Sequence, residues 1–493
     1  MKACFFTLTS LLFLLTAMTS ADAQKAPSRI ALQPCEVNGP ERGTKIKVMC
    51  GGLEVFENRA AKTGRRITLK VEVFPATGAD RQPDPLFYIP GGPGSSATED
   101  APYIARELAK VREHRDLVFL DQRGTGGSNP LICTFFDPND PQSMLGHWNP
   151  PDEVRKCRAD LETRADLRLY TTSIAMDDLD EVRAALGYDK INILGGSYGT
   201  RATQEYVRRH GKHVRAAVLH GVSLTGQLMP RDFPQDTERA IDGVLSECLA
   251  DAECSKTFPD VRADKRAVLD RLLKGPVTVD VKTSADSDKT IPLSLSRDLV
   301  AEAVRYMLYS TSGSNRLPLF LHLAAGGNYN PFIQAALNFR QNIVASGATG
   351  LYLSITCAED LPLIAPGVGE KNAANTFLGD YRLRQMREAC TEWPRIEIPK
   401  DYTTDVHSNV PALILTGQWD PVTPPMYGDT AAKNFRNSLH IVVPSGGHGF
   451  NGLTNSECID GLIATFIEHG SAKGLDTSCV KTIHRTGFQL NLG

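Results

Sequence analysis

Ile191-Asn192-Ile193-Leu194-Gly195-Gly196-Ser197-Tyr198-Gly199 is an apolar run of strand character that passes directly into Gly-x-Ser-x-Gly. A helix-period stretch, 201–210, follows at once. A serine held at a sharp strand-to-helix turn stands exposed at the end of a sheet, and small residues two positions either side let strand and helix approach without Cβ clashes. The pentapeptide also occurs in ordinary loops, so its meaning depends on its surroundings.

Working outward, the segment 66–74 alternates apolar with polar residues and reads as an edge strand with one solvated face. The runs 86–89, 117–120, 191–194 and 216–219 are apolar with little alternation, as parallel strands buried on both faces should be. Helix-period segments such as 177–186 and 201–210 separate them, giving a β-α-β rhythm. From about 227 to 407 the pattern turns helical and irregular, and strand-like runs return only at 412–415 and 440–443. A last helix is expected at 456–469. This order predicts an α/β fold with a mostly parallel, doubly wound sheet and an inserted, mainly helical cap domain. The expected division is 24–227 for the first part of the core, 228–407 for the cap and 408–493 for the second part of the core.

Residues 1–23 open Met-Lys, carry an apolar stretch to Met18 and end Ala21-Asp22-Ala23 ahead of Gln24, the pattern of a secretory signal peptide. The stretch is shorter than the ~20 apolar residues of a spanning helix, so an exported protein, periplasmic or secreted, is expected, with no membrane association after the signal is removed. Cleavage would leave ten of the eleven cysteines. An even number in an exported chain reads as disulfides, with buried free thiols as the other reading. Sequence does not fix their connectivity. Five neighbouring pairs in chain order would each close a short loop, worth ~3 kcal/mol for a loop of about 15 residues. With 54 basic and 57 acidic residues mixed along the chain, no basic surface for nucleic acid is expected.

Acyl transfer by a serine needs a base, a group that orients the base, and donors for the developing oxyanion. His448 lies in Gly446-Gly447-His448-Gly449 and Asp420 in Gly417-Gln418-Trp419-Asp420-Pro421-Val422-Thr423-Pro424, each just past a strand-like run. The order Ser197, Asp420, His448 is that of the α/β-hydrolase arrangement. One oxyanion donor would be the backbone N–H of Tyr198; the other would come from Pro90-Gly91-Gly92-Pro93-Gly94, where Gly92 is the choice. No Lys-Ser/Thr follows that loop, which sets aside a phosphate cradle. His210 and His213 have no accompanying carboxylate or cysteine cluster, and no C-x-x-C pair occurs, so no metal site is expected.

With Asp121-Gln122-Arg123-Gly124-Thr125-Gly126-Gly127-Ser128, these motifs complete a pattern across about residues 85 to 450 that resembles the prolyl iminopeptidase and tripeptidyl aminopeptidase family of α/β-hydrolase serine peptidases. The resemblance implies Ser197 as nucleophile, His448 as general base and then acid, Asp420 as its orienter, Gly92 and Tyr198 as oxyanion donors, and Arg123 as a structural tie. Relatives often carry histidine where Pro90 stands. A peptide substrate with a free amino terminus needs anions to hold its ammonium. Cys357-Ala358-Glu359-Asp360 resembles the cysteine-plus-acid segment of the larger secreted aminopeptidases, which makes Glu359 and Asp360 the amine-binding candidates, against the alternative of a solvated pair or a helix start. No metal or organic cofactor is implied. The expected activity is release of amino-terminal residues from short peptides, either a single residue such as proline or a di- or tripeptide, through an acyl-enzyme. Alternatives on the same scaffold are a carboxylesterase or lipase, and a non-catalytic binding protein.

Overall fold

Nine strands form the main sheet: β1 (Gln33–Asn38), β2 (Lys45–Phe56), β3 (Arg66–Phe74), β4 (Leu86–Ile89), β5 (Leu117–Leu120), β6 (Ile191–Gly196) and β7 (Val214–His220), then, after a separate antiparallel pair β8 (Val277–Lys282) and β9 (Thr290–Leu295), β10 (Ala412–Gly417) and β11 (Ser438–Val443). The computed structural model describes Met1, residues 29–282 and residues 288–492, with the backbone alone at 342–346. The expected signal segment, Met1 apart, lies outside the described residues. The spatial order is β1-β2-β3-β5-β4-β6-β7-β10-β11. From β5 to β11 every neighbour is parallel, and β1, β2 and β3 extend the sheet antiparallel.

The unalternating runs are explained by helices on both faces. Phe87, Val118, Ile193, Leu219 and Ile414 pack on one side with Met176, Leu179 and Val182 of the helix Thr172–Ala185. Their chain neighbours Leu86, Leu117, Leu194, Val218 and Leu415 pack on the other side with the helices Ala97–Glu107 and Glu457–His469. The last of these matches the helix expected at 456–469. β3 is not the edge strand its alternation suggested. Its exposed positions fall in the half that pairs with β2 alone, whereas Val71–Val73 pair with both β2 and β5, Phe74 pairs with β5, and all four are enclosed. β2 was hard to read because Cys50-Gly51-Gly52 at its centre interrupts any apolar period.

Between β7 and β10 the chain builds a second core, with Ile241, Val244, Leu245, Val268, Val300, Val304, Leu321 and Phe332 at its centre. The elements are mainly helical, but β8 and β9 add an antiparallel pair the helical pattern did not show, burying Val277, Val281, Leu293 and Leu295. The insertion does not pack as one unit. Leu351, Leu353, Ile355, Met386 and Trp393 join the sheet's own core, and Ala348 N–H donates to the Gly94 carbonyl at 3.1 Å. The returning chain therefore lies against the loop after β4.

The ten cysteines among the described residues pair in chain order: Cys35–Cys50, Cys133–Cys157, Cys248–Cys254, Cys357–Cys390 and Cys458–Cys479.

Candidate active site

Ser197 sits between β6 and the helix Tyr198–His210 with φ 54° and ψ −122°, a backbone conformation that residues with a side chain rarely adopt. Its N–H donates to the His220 carbonyl at the end of β7 (2.8 Å), and its own carbonyl accepts from Thr200 N–H (2.9 Å) and Thr200 Oγ1 (2.6 Å). The tight turn depends on Gly199, where a Cβ would overlap the Ile89 carbonyl oxygen, so only glycine lets the helix start this close to β4. A Cβ at Gly91 would lie 3.5 Å from Ser197 Oγ, which places the loop after β4 directly beside the hydroxyl.

The loops after β10 and β11 bring Asp420 and His448 together. Asp420 Oδ2 lies 2.7 Å from His448 Nδ1. Its other oxygen accepts from the N–H groups of Val422 and Thr423, both at 2.9 Å, and Thr423 Oγ1 donates to Oδ2 at 2.6 Å. Burial opposes ionisation of this fully enclosed carboxyl, but His448 and these donors outweigh it and bring the pKa down to about 2. Trp419 N–H donating to the Gly446 carbonyl (2.7 Å) and Ser445 N–H donating to Gln418 Oε1 (2.9 Å) lock the two loops to one another. From the insertion, the Tyr309 ring meets the His448 imidazole edge to face at 5.0 Å. His220, partly buried and stacked on Phe450 at 4.6 Å, has its pKa lowered to about 4 by desolvation, with the nearby His448 acting in the same direction.

Ser197, Tyr198, His448, Gly91 and Gly92 all line one cavity of about 450 Å³. Tyr198 is the first residue of its helix, so its N–H is one of the donors left free at a helix N-terminus. Gly92 has φ 110° in the facing loop. That loop is anchored by Asp121, which accepts from Ser96 Oγ (2.8 Å), Thr98 N–H (3.0 Å), Thr98 Oγ1 (2.9 Å) and Gly127 N–H (2.8 Å). Arg123, buried, forks onto Asp178 and donates to the carbonyls of Glu57 and Leu169, the structural tie expected of it.

Glu359 and Asp360 are placed elsewhere. They close a π-helical turn, Thr356–Asp360, and neither lines the cavity. Glu359 accepts from Thr172 N–H (2.7 Å), Thr172 Oγ1 (2.8 Å) and the Tyr402 hydroxyl. Asp360 Oδ1 accepts from Arg201 (2.9 Å) and from Met229 N–H (3.1 Å), with both charged side chains fully buried. Arg201 belongs to the helix that Ser197 opens, and Tyr198 Oη shares the Thr172 hydroxyl at 2.8 Å. The acid pair thus braces that helix from behind, and even the one oxygen without a partner, Asp360 Oδ2, is buried away from the cavity. Burial pushes Glu359 up to about 7 in spite of its donors.

The acid that does line the cavity is Glu302, with Arg305, Arg382, Tyr306, Tyr309 and Phe339 beside it. Glu302 and Arg305 had a readable signal, since they are charged residues three apart on a helix, Arg297–Met307, whose other inward positions are Leu299, Val300, Ala303 and Val304. Arg382 had none. It follows Tyr381 in a stretch where Arg384 and Arg387 carry the same charge to the surface.

Two family descriptions match the chain: alpha/beta hydrolase fold over residues 84–255 and TAP-like protein over 375–479. Serine protease Hip1 of Mycobacterium tuberculosis is 26% identical over 495 residues, covering 90% of each chain. The tripeptidyl aminopeptidase of Streptomyces lividans is 25% identical over 476 residues, covering 88% of this chain and 83% of its own. Among solved structures, proline iminopeptidase of Mycobacterium smegmatis aligns over 85% of this chain and 98% of its own, with 16% identity and a TM-score of 0.40. The sheet order, the two family descriptions and the named relatives together make the chain a serine hydrolase of the α/β-hydrolase fold, similar to tripeptidyl aminopeptidase and serine protease Hip1.

Proposed function

We propose that this protein is an exported serine peptidase that releases amino-terminal residues from short peptides through an acyl-enzyme. The observation that carries the reading is the Asp420–His448 pair at 2.7 Å, sharing one cavity with a serine held at a sharp turn. With Nδ1–H committed to Asp420, the imidazole has Nε2 free to take the Ser197 proton as Oγ attacks the scissile carbonyl. The N–H groups of Gly92 and Tyr198 would hold the oxyanion. His448 then returns the proton to the departing amine, and a water activated by the same nitrogen releases the acyl group.

Specificity for a chain end is supported by two features. Relatives are named tripeptidyl aminopeptidase and proline iminopeptidase. The cavity, at about 450 Å³ and roofed by insertion side chains, suits a few residues better than a long chain. Export is supported by five disulfides, which persist in oxidising compartments. Among the described residues no helix is long and apolar enough to cross a membrane.

The test is a chromogenic panel of free-amino peptides, the same peptides amino-blocked, and simple esters, together with fluorophosphonate labelling of the parent and Ser197→Ala. Free-amino peptides should be preferred, and labelling should vanish in the variant. Fast turnover of esters and blocked peptides with free-amino peptides ignored would replace this reading with an esterase, and an unlabelled parent would remove Ser197 as nucleophile.

A further inference from the structure

The insertion's wall of the cavity carries more positive charge than its partners neutralise. Glu302 is the acid among the lining residues, and a single oxygen, Oε1, accepts from both Arg305 Nη1 (3.1 Å) and Arg382 Nη1 (3.3 Å). Its second oxygen is taken by the Tyr381 hydroxyl. Arg382 has, beyond that, only a long bond to Tyr352 Oη at 3.4 Å. Arg305 donates to Tyr309 Oη at 2.9 Å, and its Nε is buried with no partner. Behind the lining, Arg340 lies 3.7 Å from the Trp148 ring, donates once to the Gly146 carbonyl (2.7 Å) and leaves Nη1 buried without a partner. The Arg382 guanidinium carbon lies 5.3 Å from the centre of the same indole ring. Two guanidinium groups therefore share one carboxylate, a third lies on the neighbouring indole, and among the described residues no second acid is paired with any of them. Buried charge without a counter-charge is costly, and a planar guanidinium with free donors is the group that best receives a carboxylate.

The wall is close to the chemistry. The Arg305 guanidinium carbon is 5.3 Å from the centre of the Tyr309 ring, and that ring is 5.0 Å from the His448 imidazole, which keeps guanidinium and imidazole within about 10 Å. An extended peptide covers that in about three residues.

We infer that Arg382 and Arg305 form a carboxylate subsite, so that the preferred substrates are short peptides carrying a carboxylate within about three residues of the scissile bond. The inference rests on Ser197 marking the point of cleavage. The carboxylate has two sources, an acidic side chain or the peptide's own free carboxyl terminus, and the subsite reads the chemistry common to both.

The experiment is a calorimetric titration of three ligands into the Ser197→Ala protein: tetra-alanine with a free carboxyl terminus, its carboxamide, and the carboxamide with glutamate at the third position. At least one carboxylate ligand should bind tenfold or more tighter than the neutral carboxamide, and which one does so identifies the source. Adding Arg382→Met should bring that ratio close to one, while Arg382→Lys should keep part of it. Equal affinity for all three ligands would overturn the subsite, and this comparison within one protein stands even if Arg382→Met does not fold. Turnover of the same peptides by the parent keeps the two readings apart. Carboxylate preference in binding with no cleavage would sink the catalytic reading alone, and cleavage of all three at equal kcat/KM would sink the subsite alone.

Discussion

The floor and the wall of the cavity are held by different means. On the floor, Ser197 and Asp420 are fixed by backbone groups, and the loop carrying Gly92 is held through Ser96 and Thr98 by the buried Asp121 carboxylate of the neighbouring loop. On the wall, Glu302, Arg305 and Arg382 are fixed chiefly by one another and by tyrosine hydroxyls. Acyl transfer demands donors already aimed before the substrate arrives, and backbone contacts supply that rigidity. A wall made of long side chains can change what it recognises without disturbing the reaction.

Four measurements test how the floor and its supports are held. The largest effect is expected at Asp420→Asn, which loses the grip on the His448 Nδ1–H tautomer and should lower kcat by about 10⁴-fold with an unchanged circular dichroism spectrum. A drop of tenfold or less would mean that the floor is not set by this bond. Next, Asp360→Ala leaves Arg201 buried and unpaired, and should cost about 3–5 kcal/mol in denaturant unfolding.

A pH effect should come third. Glu359, with its pKa raised from an ordinary 4.5 to about 7, binds its proton more tightly in the folded chain than in the unfolded one. Stability from this group is therefore full below about pH 4.5 and is lost as pH rises toward 7, by up to about 3 kcal/mol. Asp420 acts in the opposite direction, contributing above its ordinary 3.8 and losing that contribution as pH falls toward 2. Thermal unfolding of the parent should accordingly drop between pH 5 and 7.5, and Glu359→Gln should flatten this drop; an equal drop in both proteins would assign it to other groups. The smallest effect is Thr423→Val, which removes a hydroxyl from Asp420 and should lower kcat about tenfold, or about 1.4 kcal/mol.

The same division decides what could be read from the chain. Glycines at Gly91, Gly92 and Gly199, and the strand-end positions of Asp420 and His448, are demanded by backbone geometry, which short motifs record. The continuous apolar runs of β4, β5, β6, β7 and β10 likewise announced a sheet covered on both faces. The wall is assembled from helices distant in the chain, so that Arg382 reaches Glu302 across 80 positions with no local pattern to show it. Glu359 and Asp360 were misjudged for a related reason. An acidic pair beside a cysteine looks the same in sequence whether its oxygens meet a ligand or, as here, Thr172, Tyr402 and Arg201.

Ser197 occupies a left-handed φ of 54°, a setting glycine accepts freely. The proposed nucleophile is thus a residue the framework itself would exchange, and Ser197→Gly should produce an inert protein about 1–3 kcal/mol more stable than its parent in denaturant unfolding. Durability alone would favour a bare backbone at this turn, and under the proposed role the strain at Ser197 is the cost of presenting a hydroxyl there.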